Sequence, residues 1–128
     1  MIDIYKMDTI LIIDDDPRNI FALVAVLKTK KFVCLTASSA EEGIKTLLRQ
    51  PDIGIILMDM MMPDMDGYEA IAEIRKNELV NKVPIIAVTA QAMVGDREKC
   101  IAAGANDYIS KPIDIDILVE LLGQYLNT

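Results

Sequence analysis

The chain has 128 residues, 52% of them apolar, enough for one domain with a sizeable core and too few for a second folded module. Asp and Glu outnumber Lys and Arg by 20 to 13, and the net charge of -7 works against phosphate backbones and anionic lipid surfaces, so no direct nucleic-acid contact is expected. No apolar run approaches the roughly 20 residues of a membrane helix, no basic-then-apolar leader opens the chain, and Cys34 and Cys100 lack paired spacing; the expectation is a cytoplasmic protein with two core thiols in a reducing compartment.

In chain order, Met1 to Lys6 read as an N-terminal extension, with the domain over 7–128. A first strand over Thr9 to Asp14 leads to Asp16-Pro17, an N-cap and first helical position ahead of a helix whose face is Ile20, Leu23, Val24 and Leu27. A second strand, Phe32 to Ala37, precedes a helix capped by Ser38 with Glu41 or by Ser39 with Glu42, with Ile44, Leu47 and Leu48 on its face. Next come a strand over Ile53 to Met58 and a helix over Tyr68 to about Lys76, then a strand over Pro84 to Thr89 and a helix from about Ala92 to Ala103, stopped by Gly104. The last pair is a strand over Asp107 to Ser110 and a helix capped by Asp114, with Ile117, Leu118, Leu121, Leu122 and Tyr125 facing inward. Strands that are nearly continuous apolar runs require helices on both faces, and a barrel requires about 250 residues, so the pattern predicts a doubly wound α/β fold with a parallel sheet.

Ligands of such a sheet bind at the carboxyl ends of its strands. There the chain places Asp14, Asp15 and Asp16 after the first strand, Asp59 after the third, Thr89 at the end of the fourth and Lys111 after the fifth. Carboxylates brought together repel by about 4 kcal/mol per pair at about 4 Å and an effective dielectric of about 20. A cation is needed to offset that. Oxygen donors alone, in a chain with no His, favour a hard ion such as Mg²⁺ on Asp14, Asp15 and Asp59. Asp16 reads as a helix cap. Asp59, acidic at the mouth of an apolar strand, reads as the group that attacks phosphorus, with Lys111 supplying positive charge and Thr89 a hydroxyl to the phosphoryl oxygens.

The segments Ile10-Leu11-Ile12-Ile13-Asp14-Asp15-Asp16, Asp59-Met60-Met61-Met62-Pro63-Asp64-Met65-Asp66-Gly67, Val88-Thr89-Ala90 and Tyr108-Ile109-Ser110-Lys111-Pro112 resemble response-regulator receiver domains, and the resemblance covers essentially the whole chain. It implies a flavodoxin-like (βα)5 three-layer sandwich with strand order 2-1-3-4-5. It also implies that Asp14 and Asp15 hold Mg²⁺, with Mn²⁺ as a substitute, that the Met61 carbonyl is a further metal ligand, and that Asp59 is the phosphoacceptor. Thr89 and Tyr108 match the switch pair, Lys111 the phosphate-binding lysine, and the Lys111-Pro112 bond is expected to be cis. The implied partners are a sensor histidine kinase or a histidine phosphotransfer protein. A monomer, or a weak dimer through the fourth helix, fifth strand and fifth helix, is the implied state. The stretch Ala90 to Cys100 and the Pro112-Ile113 pair look like receivers that serve hybrid sensor kinases. Met61 and Gln91 occupy positions linked to phosphoryl lifetime. The implied role is a signalling switch that catalyses only its own phosphorylation and dephosphorylation.

Three rivals fit less well. A flavin binder of related architecture needs a hydroxyl- and glycine-rich loop where Asp14 to Asp16 stand. A haloacid dehalogenase-type phosphatase resembles Asp-x-Asp at the nucleophile, and here the second position is Met61. A receiver used only for docking would not need the full set of polar strand ends.

Overall fold

A computed structural model describes residues 8–90 and 93–126. The expected extension Met1 to Lys6 lies outside the described residues, as do Gln91 and Ala92. Ten elements alternate along the chain: β1 (Thr9–Ile13), α1 (Pro17–Thr29), β2 (Val33–Ala37), α2 (Ala40–Arg49), β3 (Ile53–Asp59), α3 (Gly67–Lys76), β4 (Ile85–Thr89), α4 (Asp96–Ala103), β5 (Asp107–Ser110) and α5 (Ile115–Leu126). The strands form one parallel sheet in the order β2-β1-β3-β4-β5.

The sheet splits the core by the period-two alternation of its strands. Leu11, Ile13, Ile56 and Met58 point to the side of α2, α3 and α4, where Leu47, Ile71, Ile74 and Cys100 complete one cluster. Their neighbours Ile10, Ile12, Ile55 and Leu57 point the other way, against Leu27 of α1 and Leu118, Leu122 and Leu126 of α5. β1, β3 and β4 are buried along their whole length, whereas the edge strand β2 leaves Val33 and Thr36 exposed.

Side chains start most helices. Asp16 accepts from the Arg18 N–H at 2.9 Å, and Asp66 accepts from the Glu69 N–H at 2.9 Å. Asp114 Oδ1 takes the N–H groups of Asp116 and Ile117 at 2.9 and 3.3 Å. Of the two serines considered for α2, Ser39 is the cap, accepting from the Glu42 N–H at 3.1 Å. The Glu42 carboxylate turns to the Ser38 hydroxyl at 3.0 Å, so the reciprocal half of the box closes one residue upstream.

Helix α4 departs from expectation. Met93 to Gly95 are not helical, and α4 begins at Asp96. Gly95 stands at φ +94°, a left-handed backbone that interrupts the apolar-looking Met93-Val94 lead-in, and the Asp96 carboxylate accepts from the Met93 N–H at 3.0 Å to close the turn. At its other end Gly104, at φ +119°, terminates α4 as expected. Arg75 of α3 secures that end. Its guanidinium donates to the carbonyls of Gly104, Asn81 and Val83 at 2.7, 2.9 and 2.6 Å and to Asn106 Oδ1 at 2.8 Å.

The turn from β3 into α3 is tight. A Cβ on Gly67 would lie 2.7 Å from Met60 Cα and 3.0 Å from the Asp59 carbonyl oxygen, both backbone atoms. Gly67→Ala is therefore expected to destabilise the fold by about 1–3 kcal/mol, the usual range for overpacking. Gly123, on α5, meets nothing within 4 Å, and Gly123→Ala is expected to stabilise by about 0.5–1 kcal/mol through helix propensity. Urea unfolding of both variants checks the pair, and equal signs would contradict it.

Candidate functional site

The register sets the site. Ile13 pairs with Met58, Asp59 with Val88, and Thr89 with Ser110, so adjacent strands end at nearly one level. Asp14, Asp59, Thr89 and Lys111 thereby meet at the carboxyl edge. Among the described residues the buried polar side chains are Thr9, Asp14, Asp59 and Thr89, and all but Thr9 lie here. Thr9 stands at the opposite end, bonded to Asp52 at 2.9 Å.

Asp14 and Asp59 are only 7% and 4% exposed, and they are held in parallel ways. In each, Oδ1 accepts the backbone N–H two residues on: Asp16 N–H to Asp14 at 2.9 Å and Met61 N–H to Asp59 at 3.0 Å. In each, Oδ2 faces the Lys111 ammonium, at 3.5 Å from Asp14 and 3.7 Å from Asp59. Lys111 reaches this position because its own N–H bonds the Thr89 carbonyl at 2.8 Å, and the Lys111–Pro112 peptide is cis, as expected.

Burial pushes the Asp59 carboxyl up to about 6; the charge of Asp14 adds to that, while the Met61 N–H and Lys111 pull it down. Asp15 is exposed, yet its carboxylate oxygen lies within 4.8 Å of those of Asp14 and Asp59. Three carboxylates thus face one ammonium, which leaves a local deficit of positive charge. All donors are oxygens of the kind that a hard divalent cation takes, so the residues fit such an ion. Asp16 stays outside this group. It is the α1 cap, with its carboxyl lowered by the Arg18 side chain and backbone N–H.

Met58, Met60 and Met62 are buried and Met65 is partly so, while Met61 is 51% exposed beside Asp59. Cys100 is fully buried and Cys34 partly, where burial pushes its thiol up. Thr89 and Tyr108 share one sheet face, because Thr89 follows Ala87 by two and Tyr108 pairs with Ala87. Gln91 lies outside the described residues.

The sequence reading missed a groove of about 500 Å³ running from Asp14 and Lys111 along α1, lined by Asn19, Ala22, Leu23, Val26, Ile113 and Ile115. Phe21, off the inward stripe of α1 and 78% exposed, is not among the residues that line it. No helix among the described residues is long and apolar enough to cross a membrane.

Comparison with known proteins matches this fold. The family model for the response regulator receiver domain aligns with residues 10–123. The signal transduction histidine-protein kinase BarA of Escherichia coli is 37% identical over 117 residues, covering 91% of this chain and 13% of that kinase. The chain thus spans about an eighth of this curated relative. The receiver domain of a Pseudomonas aeruginosa sensor histidine kinase, whose crystal structure has a magnesium ion coordinated in the active site cleft, is 36% identical with a TM-score of 0.85 over 94% of this chain and 98% of that one. The receiver domain of Saccharomyces cerevisiae Ssk1, crystallised with the histidine phosphotransfer protein Ypd1, is 26% identical with a TM-score of 0.85, covering 96% of this chain and 91% of that one. Since the match runs from the middle of β1 into α5 and the solved relatives share the architecture, the chain belongs to the response regulator receiver domain family of two-component signalling.

Proposed function

We propose that this receiver domain accepts a phosphoryl group on Asp59 from a phosphohistidine and passes the event on as a change of conformation. One observation carries the reading: Asp59 is buried at the strand edge with one oxygen tied to the Met61 N–H and the other turned toward Lys111. These 128 residues hold no His, so the phosphohistidine lies outside this domain.

In the transfer, an Asp59 carboxylate oxygen attacks phosphorus, the P–N bond breaks with its electron pair leaving on the imidazole, and an acyl phosphate remains. Lys111 balances charge on the incoming oxygens, and the Thr89 hydroxyl, on the next strand, donates to one of them. Asp14, Asp15 and Asp59, with the Met61 carbonyl, would hold Mg²⁺, which when bound neutralises phosphoryl charge; Mn²⁺ would substitute. Without such a cation the raised Asp59 carboxyl holds a proton over part of the physiological range, and only its anion is nucleophilic.

For the donor we propose a histidine kinase or a histidine phosphotransfer protein presenting a helical surface, as in the Ssk1 complex with Ypd1. The apolar groove along α1 opens beside Lys111, so a helix docked there would bring its imidazole near Asp59. Phosphorylation then shifts a two-state equilibrium. Thr89 turns to the new oxygens, Tyr108 takes up the space on the shared sheet face, and the α4, β5 and α5 surface changes. A weak dimer through that surface, and action in the cytoplasm, complete the proposal.

Borohydride trapping followed by mass spectrometry is expected to label Asp59 after exposure to a small phosphodonor and Mg²⁺. Label that persists in Asp59→Asn, or forms equally in excess EDTA, would overturn the reading.

The raised Asp59 carboxyl gives a pH dependence with a definite sign. Folding favours the protonated form, so this contribution is complete below about pH 4 and is lost as pH rises through about 6. In EDTA at pH 7, Asp59→Asn is expected to be more stable than wild type by on the order of 1–2 kcal/mol, with the difference vanishing near pH 4. Thermal unfolding at the two pH values measures it, and a constant difference would refute the charge argument.

Thr89→Ala is expected to accept the phosphoryl group while losing the distant response. Amide NMR with beryllofluoride and Mg²⁺ tests this over residues 96–124. Undiminished distant shifts in the variant would sink the proposed coupling through Thr89.

A further inference from the structure

Helix α4 is thinly attached to the sheet. Cys100 is its one fully buried residue, and Gly95 opens it without a side-chain cap. β5 packs against it, and α3 steadies it from the other side. Tyr68, Ile71 and Arg75, spaced by three and four, lie on one stripe of that helix and follow α4 along its length. The Tyr68 hydroxyl is 3.7 Å from Cys100 Sγ, and the Lys99 ammonium stands 4.8 Å from the Tyr68 ring centroid. At the far end Ile71 and Arg75 crowd Gly104, where a Cβ would lie 2.9 Å from Ile71 Cγ2, and Arg75 Nε and Nη2 bond the Gly104 carbonyl at 3.0 and 2.7 Å.

The same tyrosine is linked to the Asp59 strand. Gly67, the residue before it, donates to the Met60 carbonyl at 3.4 Å and packs against the Met60 and Asp59 backbone with no space for a side chain. The path from Asp59 to α4 therefore has two contacts: backbone to Gly67–Tyr68, then Tyr68 to Cys100 and Lys99. Tyr108 of β5 also lies close enough to α4 to feel Cys100 and Asp96, so the two routes converge on that helix.

We propose that Tyr68 is a positioning residue that couples the Asp59 loop to α4 through α3, a second route beside the one through Thr89 and Tyr108. The inference rests on the reading of Asp59 as phosphoacceptor. Arg75 acts as the fixed end of the linkage, since its bonds go to three backbone carbonyls on two loops, those before β4 and β5. Tyr68 acts as the adjustable end, because a hydroxyl–thiol contact and a ring–ammonium contact are individually weak and reform in more than one geometry. Burial and the Cys100 contact push the Tyr68 hydroxyl up to about 12, so it remains a neutral donor at any physiological pH.

Amide NMR of wild type, Tyr68→Phe and Tyr68→Leu, each with and without beryllofluoride and Mg²⁺, tests the route, with melting temperatures read in parallel. The responses of Asp15, Met60 and Met61 are expected to match wild type in both variants. Those of residues 97–103 are expected to fall at least twofold in Tyr68→Phe and further in Tyr68→Leu. A merely structural tyrosine would lower the melting temperature and leave the α4 response intact, and that result would overturn the proposal. The isosteric Tyr68→Phe keeps the test decisive if Tyr68→Leu fails to fold. A wild type without any response at Asp15, Met60 and Met61 would instead overturn the phosphoacceptor reading, and this route with it.

Discussion

Two carboxylates buried at one sheet edge, with a single ammonium between them, are the constraint on which the rest of this molecule depends. A buried carboxylate is costly unless it is hydrogen-bonded and its charge is balanced. Asp14 and Asp59 meet the first condition alike, each with Oδ1 on the backbone N–H two residues downstream. They share the second, because Lys111 reaches both Oδ2 atoms. Asp15 adds a third carboxylate that the lysine does not offset. The arrangement is thus satisfied in hydrogen bonds and unsatisfied in charge, and its oxygens fit a hard cation.

The sheet also separates two sets of elements. On one face lie α1 and α5 with the groove beside Lys111; on the other lie α2, α3 and α4, together with Thr89 and Tyr108. Asp59 ends the central strand that both faces share. In the proposed reading a partner approaches along α1 on the first face and the response starts from Thr89 and Tyr108 on the second, reaching the α4, β5 and α5 surface, so docking and switching share α5.

Much of this was legible in the sequence, for identifiable reasons. Strands buried on both faces become uninterrupted apolar runs, so β1, β3 and β4 stand out, and an Asp closing such a run has no packing explanation. Asp14 and Asp59 were visible on that ground. The bounds of β5 were as expected, but α4 was misplaced, because Ala92, Met93 and Val94 have helical composition while the deciding fact is the left-handed backbone of Gly95. The choice between Ser38 and Ser39 turned on where the Glu42 carboxylate found its partner. The α1 groove and the Tyr68 contacts depend on residues 31 or more positions apart that only the folded chain brings together. Local pattern reports which face of an element is apolar; it does not report which neighbour that face meets.

The contrast between β3 and α4 has a consequence for local opening. β3 is buried through all seven residues, and its hydrogen bonds are shielded on both sides, so its amides can exchange with solvent only when the whole domain unfolds. α4 has one fully buried residue and can detach on its own at far lower cost. Asp59 therefore stands on a strand buried throughout, while the helix that would register its chemistry is held by few buried side chains, so a shift of that helix would draw little on the packing that holds the site together.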